Sequence, residues 1–500
     1  MRKGIPVLVT ALVSGALFFA FAFSELDTYL KAIVLLSDLF LCGVILKRLT
    51  GADGYYGLII VRGLAGFRAM RYIADNYAET CRKIADAGLS IGFGAFYAYR
   101  VFGRKKIPWH LAGIALFYAF FWLAQNAAGF AVMQSAAYFA VGIVFGMFGL
   151  GLLFIGQHAF NVLTVSGTPP GIALLIPGVT MPWETLPALA IIAAVHEIAH
   201  GVLCDVEKIK LKSSGAVLFG FLPVGAFVEP DEASMKKAAL HKRRRVMVAG
   251  STSNFLFFFV FLGLALGATA LLQTTIEGVA VDNATHGSLV PGERVLAMDG
   301  AAVRMAKDLD APLYAGVLAA NLTTTLGEKR VALGYVEVTA VTEGRPAQDL
   351  LRKGDVIYSV NGEQVESLET LEDASAGKGA GDSIVLGTDR GPVRVPYDEK
   401  GKMGIELTVK KAANFRDIPK NGAAYALLSL LATVLGYTYI LNFLLGIFNL
   451  LPLFITDGHQ IILGDAVAAF GEKTGRRLSL ALALGTLLIL AINALPWFIR

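Results

Sequence analysis

Two histidines lie four residues apart in a strongly apolar part of the chain, with a glutamate directly after the first: His196-Glu-Ile-Ala-His200. In a helix, residues four apart share a face, so the two imidazoles project toward one point and Glu197 lies one step round. This spacing is typical of a zinc site in which the glutamate takes a proton from water, and it predicts amide hydrolysis. The alternative is two buried histidines without a function, but three ionisable groups within five residues are costly in a membrane helix.

Two histidines leave a zinc ion in need of a third protein ligand, which must come from another part of the chain. Asp457 is a carboxylate in otherwise apolar sequence, within Asn449-Leu-Leu-Pro-Leu-Phe-Ile-Thr-Asp-Gly458. Pro452 disturbs the helix there and Gly458 frees the backbone, so the aspartate side chain can turn inward. Asp457 is therefore the first candidate for the third ligand.

Two other residues are weaker candidates for that ligand. Glu229 follows the histidine motif at a separation that some soluble zinc proteases use, but it lies in a loop rich in Gly and Pro. Cys204 is four residues beyond His200, but three ligands on consecutive turns of a straight helix diverge from a single ion. A small buried thiol is the favoured interpretation of Cys204, and Glu229 ranks second to Asp457.

The composition around these residues is that of a membrane protein. Of the 500 residues, 55% are hydrophobic and 17% are charged, and the mean hydropathy is +0.60. A helix needs roughly 20 apolar residues to cross a bilayer. Runs of that kind lie at Val7–Phe23, Trp109–Met133, Ala136–Ile155, Leu186–Leu203, Val246–Leu272, Ala423–Phe448 and Leu478–Phe498. Tyr29–Leu46 is a shorter candidate, and the predicted fold class is a polytopic α-helical membrane protein.

Other features of the sequence narrow the class further. The basic start and following apolar run resemble a signal peptide, but Phe19–Ser24 offers no small-residue cleavage site, which predicts a retained span. The three cysteines have neither metal-ligand nor disulfide spacing. The net charge of +5 is too small to indicate nucleic-acid binding, and the Lys and Arg residues cluster at the ends of spans.

One N-terminal segment is amphipathic rather than uniformly apolar. Gly57–Tyr77 carries Arg62, Arg68 and Arg71 at near-helical spacing on an apolar background. An interfacial helix fits this pattern better than a span does. The number of spans before Leu186 therefore stays open.

A single long segment, residues 276–421, has the composition of a water-facing domain, with Gly, Asp, Glu and Val in short alternating runs. Within it Leu289–Gly300 and Leu351–Gly362 repeat one pattern at an offset of 62 residues: a turn glycine, an acidic residue, a strand and an Asx-Gly turn. The pattern resembles the Gly-Asp-x-Ile…Asn-Gly core of PDZ domains, with Gly344-Arg-Pro-Ala347 before the second copy. We expect an inserted soluble α+β module of two PDZ-like domains, the first of them short; another small β fold is the alternative.

The distribution of positive residues predicts which loops face the cytoplasm. Lys and Arg lie between the His-Glu span and the next, and again before the last span, at Lys208, Lys210, Lys212, Lys236, Lys237, Lys242, Arg243, Arg244, Arg245, Arg476 and Arg477. These loops should be cytoplasmic, which places the PDZ-like pair outside. A specific site for anionic lipid at 241–245 is the alternative interpretation of that cluster.

Three motifs occur in an order that resembles one protein family: His196-Glu-Ile-Ala-His200, Gly250-Ser-Thr-Ser-Asn254, and Asn449-x-x-Pro452 followed by Asp457-Gly458. Their order and topology are similar to those of the site-2 protease family of intramembrane zinc metalloproteases, over roughly residues 177–500. The resemblance implies Zn²⁺ as the cofactor. The roles it implies are zinc ligation by His196, His200 and Asp457, catalytic base for Glu197, and substrate positioning or oxyanion stabilisation by Asn254 and Asn449.

The last motif departs from the family pattern at three positions. Phe454 replaces a second proline, Thr456 replaces the usual leucine, and His459 stands where a second glycine is usual. None of these changes removes a ligand. His459 introduces a rival ligand or a partner for Asp457, although an interfacial histidine at the membrane edge is the simpler interpretation.

Gly215–Val228, between the His-Glu span and the next, alternates in hydropathy and contains several glycines. It is too short and too broken for a spanning helix, and it resembles the membrane-dipping β-hairpin of the family. Such a hairpin offers an edge to an unwound substrate, because a helical substrate hides its amides until it is extended. A simple surface loop is the alternative.

The predicted organisation has five parts: an N-terminal membrane region (1–176), the first part of the catalytic membrane core (177–275), two PDZ-like domains (276–340 and 341–415), and the second part of the core (416–500). The predicted function is a zinc metalloendopeptidase of the cell membrane that cleaves transmembrane segments of membrane-protein substrates, with the site toward the cytoplasm and the PDZ-like domains as substrate filters. The alternatives are a metal transporter and a non-catalytic scaffold; the oligomeric state is not predicted.

Overall fold

The computed structural model describes residues 4–22, 24, 26, 28–63, 66–128, 135–165, 168–172, 181–284 and 289–498. These residues divide into two compact units. Residues 1–267 and 430–500 form one, named here the membrane unit, and residues 268–429 form the other, the β module. The ends of two predicted spans, at Phe23 and Met133, lie outside the described residues.

Helices dominate the membrane unit, because its long apolar runs contain few charges and few residues that break helices. The α-helices of the described residues are α1 (Gly4–Ala22), α2 (Thr28–Thr50), α3 (Phe67–Phe102), α4 (Ile107–Ala128), α5 (Ala136–Thr164), α6 (Thr185–Glu207), α7 (Glu232–Lys237), α8 (Leu240–Thr274), α9 (Lys307–Tyr314), α10 (Leu368–Ser375), α11 (Gly422–Phe448), α12 (Asp457–Phe470) and α13 (Glu472–Ala494). A short 3-10 helix follows at Leu495–Trp497.

Seven helices in the described part of the chain are long and apolar enough to cross a membrane: α1, α4, α5, α6, α8, α11 and α13. Each covers most or all of one of the seven apolar runs recognised in the sequence. The shorter candidate, Tyr29–Leu46, lies within α2, which is not among the seven. The prediction of a polytopic helical membrane protein with an inserted β-rich module is confirmed.

The strands belong to three antiparallel sheets. They are β1 (Leu58–Gly63), β2 (Leu211–Phe219), β3 (Leu222–Pro230), β4 (Ile276–Ala284), β5 (Arg294–Met298), β6 (Ala301–Ala302), β7 (Ala319–Thr324), β8 (Gly327–Ala332), β9 (Gly334–Val341), β10 (Val356–Val360), β11 (Glu363–Gln364), β12 (Ser383–Thr388), β13 (Gly391–Pro396), β14 (Ile405–Lys411) and β15 (Ala413–Pro419). The first three lie in the membrane unit, and the rest lie in the β module.

The small sheet of the membrane unit has the order β1-β2-β3 and includes the hairpin expected at 215–228. Its third strand corrects the prediction of one interfacial helix over Gly57–Tyr77. Leu58–Gly63 forms β1 and pairs with β2 along its whole length, and α3 begins only at Phe67. The β-branched run in β1 favours a strand, and helical spacing of the arginines applies only to Arg68 and Arg71 of α3.

Helix α3 is the main contribution of the N-terminal region to the packing around α6 and α8. Its Met70 side chain occupies the space beside Gly201 of α6, and Thr252 of α8 lies against Gly88. Both contacts depend on a missing Cβ, which lets the helices approach closely. The family motifs lie in residues 177–500, but the helix that supports them comes from outside that range.

The β module contains two antiparallel sheets, with the orders β15-β4-β5-β7-β8 and β13-β12-β10-β9-β14. The first sheet is completed by β15, which follows the second sheet in sequence and pairs with β4. The second domain is therefore inserted before the last strand of the first. Strand β9 belongs to the second sheet, so the structural boundary lies near residue 333 rather than at 340.

The repeated sequence pattern forms the same turn in both sheets. Asp299-Gly300 joins β5 to β6 and Asn361-Gly362 joins β10 to β11, each as a two-residue hairpin turn. All four residues have positive φ, the conformation that Asx-Gly favours in such turns. The hairpin turns predicted from the repeat are present, and the PDZ resemblance itself stays a prediction.

Candidate active site

Two helices bring three potential metal ligands together. α6 carries His196 and His200 on one face, and Asp457 is the first residue of α12. The two Nε2 atoms lie 3.2 Å apart, and Oδ2 of Asp457 lies 3.3 Å from the first and 3.1 Å from the second. Within the described residues these three side chains form the group of His, Cys, Asp and Glu residues whose ligand atoms are close enough to share a metal ion.

The chemistry of these atoms fits a cation. Nδ1 of His200 lies 2.7 Å from the carbonyl oxygen of Val246 and must donate its proton there, which leaves Nε2 as a lone-pair acceptor. Oδ2 of Asp457 is buried and accepts no hydrogen bond from the residues that the structure describes. Acceptors that converge without a donor are costly to bury, and zinc ligands at 2.0–2.1 Å in tetrahedral geometry lie about 3.3 Å apart. The arrangement therefore fits Zn²⁺.

Asn254 lies behind His196 rather than over the open side of the site. Its Nδ2 atom is 3.2 Å from Nδ1 of His196, and its buried Oδ1 has no hydrogen-bond partner in the described part of the chain. A histidine that binds metal through Nε2 keeps its proton on Nδ1. Rotation of the Asn254 amide by 180° places its Oδ1 where it accepts that proton from His196. This geometry indicates that Asn254 orients His196, whereas the sequence suggested contact with substrate or oxyanion.

The break before α12 turns Asp457 toward the histidines. α11 ends at Phe448 and α12 begins eight residues beyond Asn449. The Thr456 side chain caps α12 by accepting the N–H of His459, while its hydroxyl donates to Leu453 at 2.8 Å. Thr456 was one of the departures from the family pattern, and its hydroxyl closes this turn.

Glycines allow two backbone segments to approach the site. The added Cβ of an alanine at Gly250 would lie 2.3–2.6 Å from ring atoms of His196 and His200. At Gly458 it would lie 2.0 Å from the carbonyl oxygen of Leu450, and the Gly458 N–H donates to Asn449 at 2.7 Å. Gly458 is helical, so close approach rather than backbone freedom explains this glycine.

Glu197 borders a cleft of about 380 Å³ that also contains the three ligands. Its Oε2 accepts the backbone N–H of Val228 at 2.8 Å, so β3 holds the carboxylate at the mouth of the site. The half-buried side chain of Asn449 lines the same cleft. Its amide makes no side-chain hydrogen bond to any part of the chain that the structure describes, which leaves it available to a ligand.

The other candidate ligands lie elsewhere. Glu229 accepts hydrogen bonds from Lys212, Ser213 and Arg62, which lower its pKa to about 2. Cys204 is buried in α6 outside the group. His459 is buried in the helical packing, with Nδ1 3.4 Å from Oγ of Ser479.

Two site side chains are positioned by backbone groups that could not be identified from the sequence. The Val228 amide and the Val246 carbonyl fix Glu197 and His200, and no side-chain pattern identifies a backbone partner. Arg62 was recognised as unusual, but its ion pair with Glu229 joins β1 to the hairpin. The β-branched run Ile59–Val61 was the signal that favours a strand there.

Two comparisons agree with this geometry. The chain matches the model of peptidase family M50, the site-2 protease family, over residues 184–492, well over half of its length. It is also 25% identical over 359 residues to an uncharacterized protein of Methanocaldococcus jannaschii, with 68% of this chain and 75% of that protein covered. The matched range contains all six residues proposed for the site. The chain is therefore a member of peptidase family M50, a family of zinc metalloproteases.

Proposed function

We propose that this protein is an intramembrane zinc metalloendopeptidase, with His196, His200 and Asp457 as zinc ligands and Glu197 as catalytic base. The observation that carries the proposal is the convergence of three acceptor atoms within 3.3 Å of one another, beside the carboxylate of Glu197. These residues lie in one cleft, and α6, which carries three of them, is apolar enough to span a membrane.

Zinc bound at this site supplies Lewis acidity, which makes a water molecule acidic near neutral pH and polarises a peptide carbonyl. The protein residues do the rest. Glu197, positioned by the Val228 N–H, takes the proton of the attacking water and passes it to the leaving amine. Asn449 faces the cleft and donates a hydrogen bond to the substrate carbonyl as negative charge develops there.

The substrates are membrane proteins, cleaved within or near their transmembrane segments. A helical segment must become extended before its peptide bond can be attacked, and β3 is the edge strand of its sheet beside Glu197. An extended substrate can add to such an edge through backbone hydrogen bonds. The PDZ-like domains filter these substrates by size or by a newly exposed C-terminus.

The enzyme resides in the cell membrane as a multi-pass protein with the site toward the cytoplasm. The Lys- and Arg-rich loops on either side of the site support this orientation. The β module then lies on the outer side, because α8 and α11 connect it to the core and both are candidate spans.

The test is Glu197→Gln in the full-length chain, reconstituted with a model transmembrane substrate. We expect zinc content to stay unchanged and cleavage to fall by about 10²–10⁴-fold or more, the size of a general-base contribution. Glu232→Gln, which removes an exposed glutamate of α7, is the control and should cleave normally. Retained cleavage in Glu197→Gln would contradict the proposal, and metal flux into liposomes without cleavage would favour a transporter.

A further inference from the structure

Two consecutive arginines near the start of α8 make ion pairs with different helices. Arg244 donates through Nε to Oδ1 of Asp465 on α12, at 2.7 Å. Arg245 donates through Nη1 to Oε1 of Glu207 on α6, at 3.1 Å. The two arginines therefore connect one turn of α8 to both of the helices that carry the metal ligands.

The two carboxylates occupy similar positions relative to the ligands. Glu207 is seven residues after His200 on α6, and Asp465 is eight residues after Asp457 on α12. At about 1.5 Å per residue, each anchor lies two helical turns, roughly 11 Å, from its ligand. In the described structure the hydrogen bonds and ion pairs of the two arginines go to residues other than the ligands, so their effect on the metal site passes through the placement of a helix.

Helix α3 supports both pairs from a third side. Tyr97 donates its hydroxyl to Oδ2 of Asp465 at 2.7 Å. Asp86 accepts two hydrogen bonds from Arg245, at 2.7 and 2.8 Å, and Arg82 donates to Glu207 at 3.2 Å. Each carboxylate is thus fixed by at least two elements, which limits sliding of α6 and α12 along α8.

The pairs are largely sheltered from water. The exposed fraction is 18% for the Arg244 side chain and 22% for Asp465, and 3% for Glu207. Sheltered pairs are screened little by salt, and removal of one partner leaves an uncompensated charge. Arg243 is the natural comparison, because it lies in the same turn of α8 but makes no ion pair within the described residues.

We propose that Arg244 and Arg245 are positioning residues for the metal site: each fixes one ligand-bearing helix to α8, so that Asp457 meets the two histidines. Simple span-flanking charge or lipid binding does not require these pairs. The inference rests on the proposed function only in taking the His-His-Asp group as a metal site, and it concerns metal affinity rather than peptide cleavage.

The experiment compares metal binding by the full-length chain in detergent, for the wild type and for Arg244→Gln, Asp465→Asn, Glu207→Gln and Arg243→Gln. Affinity is measured by competition of Zn²⁺ with a chelating dye, and site geometry by the visible absorption of bound Co²⁺. We expect a 10–100-fold loss of affinity in the first three variants, the usual range for residues that support metal ligands, and an altered Co²⁺ spectrum. Arg243→Gln should match the wild type.

Conservative variants separate positioning from folding. Arg244→Lys keeps the charge but not the planar donor group, and it should recover part of the lost affinity. Tyr97→Phe removes one hydrogen bond to Asp465 and should lower the zinc affinity a few-fold. This variant provides the test if Arg244→Gln does not fold. Folded Arg244→Gln and Tyr97→Phe with wild-type affinity and spectrum would overturn the inference. A wild-type chain that binds no metal would instead overturn the proposed function, and with it this inference.

Discussion

The buried carboxylates at the turns of the β module and the carboxylate of Asp457 in the membrane unit have opposite surroundings. In the module, Glu293 lies 2.8 Å from Nζ of Lys329, and Asp355 accepts from Nε of Arg390 at 2.7 Å. In the membrane unit, Asp457 faces two histidine nitrogens with no donor for its buried Oδ2. Among the described residues, a Lys or Arg side chain neutralises each of the first two carboxylates and none neutralises the third, which marks Asp457 as the position where a cation from outside is needed.

Glu293 and Asp355 occupy equivalent positions of the sequence repeat. Each accepts the backbone N–H of the residue three before it, at 3.0 Å from Val290 and 2.8 Å from Arg352. Burial raises the pKa of Glu293, but Lys329 and Thr324 outweigh it and the net shift is downward; the pKa of Asp355 is lowered chiefly by Arg390. Glu293 and Asp355 thus stabilise turns, whereas Oδ2 of Asp457 has no hydrogen-bond donor among the described residues.

The largest expected effect comes from crowding the metal site. Gly250→Ala would place a methyl group 2.3–2.6 Å from atoms of both imidazoles, so the rings must move by about 1 Å. A displacement of that size can cost roughly 10²-fold in a functional site, and we expect at least that loss of zinc affinity. Gly263→Ala in the same helix meets open space and should bind zinc normally. Equal affinities in the two variants would show that Gly250 does not border the ligands.

A smaller effect is expected from the partner of His196. Asn254→Ala removes the amide beside Nδ1 and should weaken zinc binding by about 10–100-fold. Asn254→Asp restores an acceptor and should recover most of the affinity. Asn449→Ala should leave zinc affinity unchanged and reduce cleavage. Loss of zinc affinity in Asn449→Ala but not in Asn254→Ala would show that Asn449, and not Asn254, supports the metal site.

The smallest effect is expected in the module and should depend on pH. Asp355→Asn should destabilise β10 by about 1–3 kcal/mol near neutral pH, with zinc affinity unchanged. Because the pKa of Asp355 is lowered in the folded chain, its contribution is complete above the unfolded pKa of about 3.9 and is lost as pH falls through the lower folded value. The difference from wild type should therefore shrink below about pH 4.

Hydrogen exchange of the β10 amides in the full-length chain measures that difference across pH. Glu369→Gln, a change at an exposed residue of α10, is the control and should have no effect at any pH. A difference between Asp355→Asn and wild type that grows on acidification would contradict the sign of the pKa shift.

The sequence predicted the elements whose signals are local. Seven apolar runs gave seven candidate spans, and two Asx-Gly pairs gave two hairpin turns. The His196 and His200 pair needed only helical spacing, and Asp457 was found because a carboxylate beside a helix break stands out in apolar sequence. In each case a few neighbouring residues determine the local conformation.

The missed features depend on contacts between distant segments. Strand β1 pairs with β2 across about 150 residues, and β15 completes a sheet that begins before the inserted second domain. Arg244 and Arg245 looked like span-flanking charges, and only the packing of α6, α8 and α12 shows their carboxylate partners. Sequence spacing alone carries no information about such pairings.

Zinc analysis of the purified chain tests the central claim most directly, by comparing the wild type with Asp457→Ala and Glu229→Ala. Asp457 is the ligand in this account, whereas Glu229 is already paired with Arg62 and Lys212. We predict one zinc ion per chain in the wild type and in Glu229→Ala, and almost none in Asp457→Ala. Full zinc occupancy in Asp457→Ala would contradict the assignment of the His-His-Asp group as the metal site.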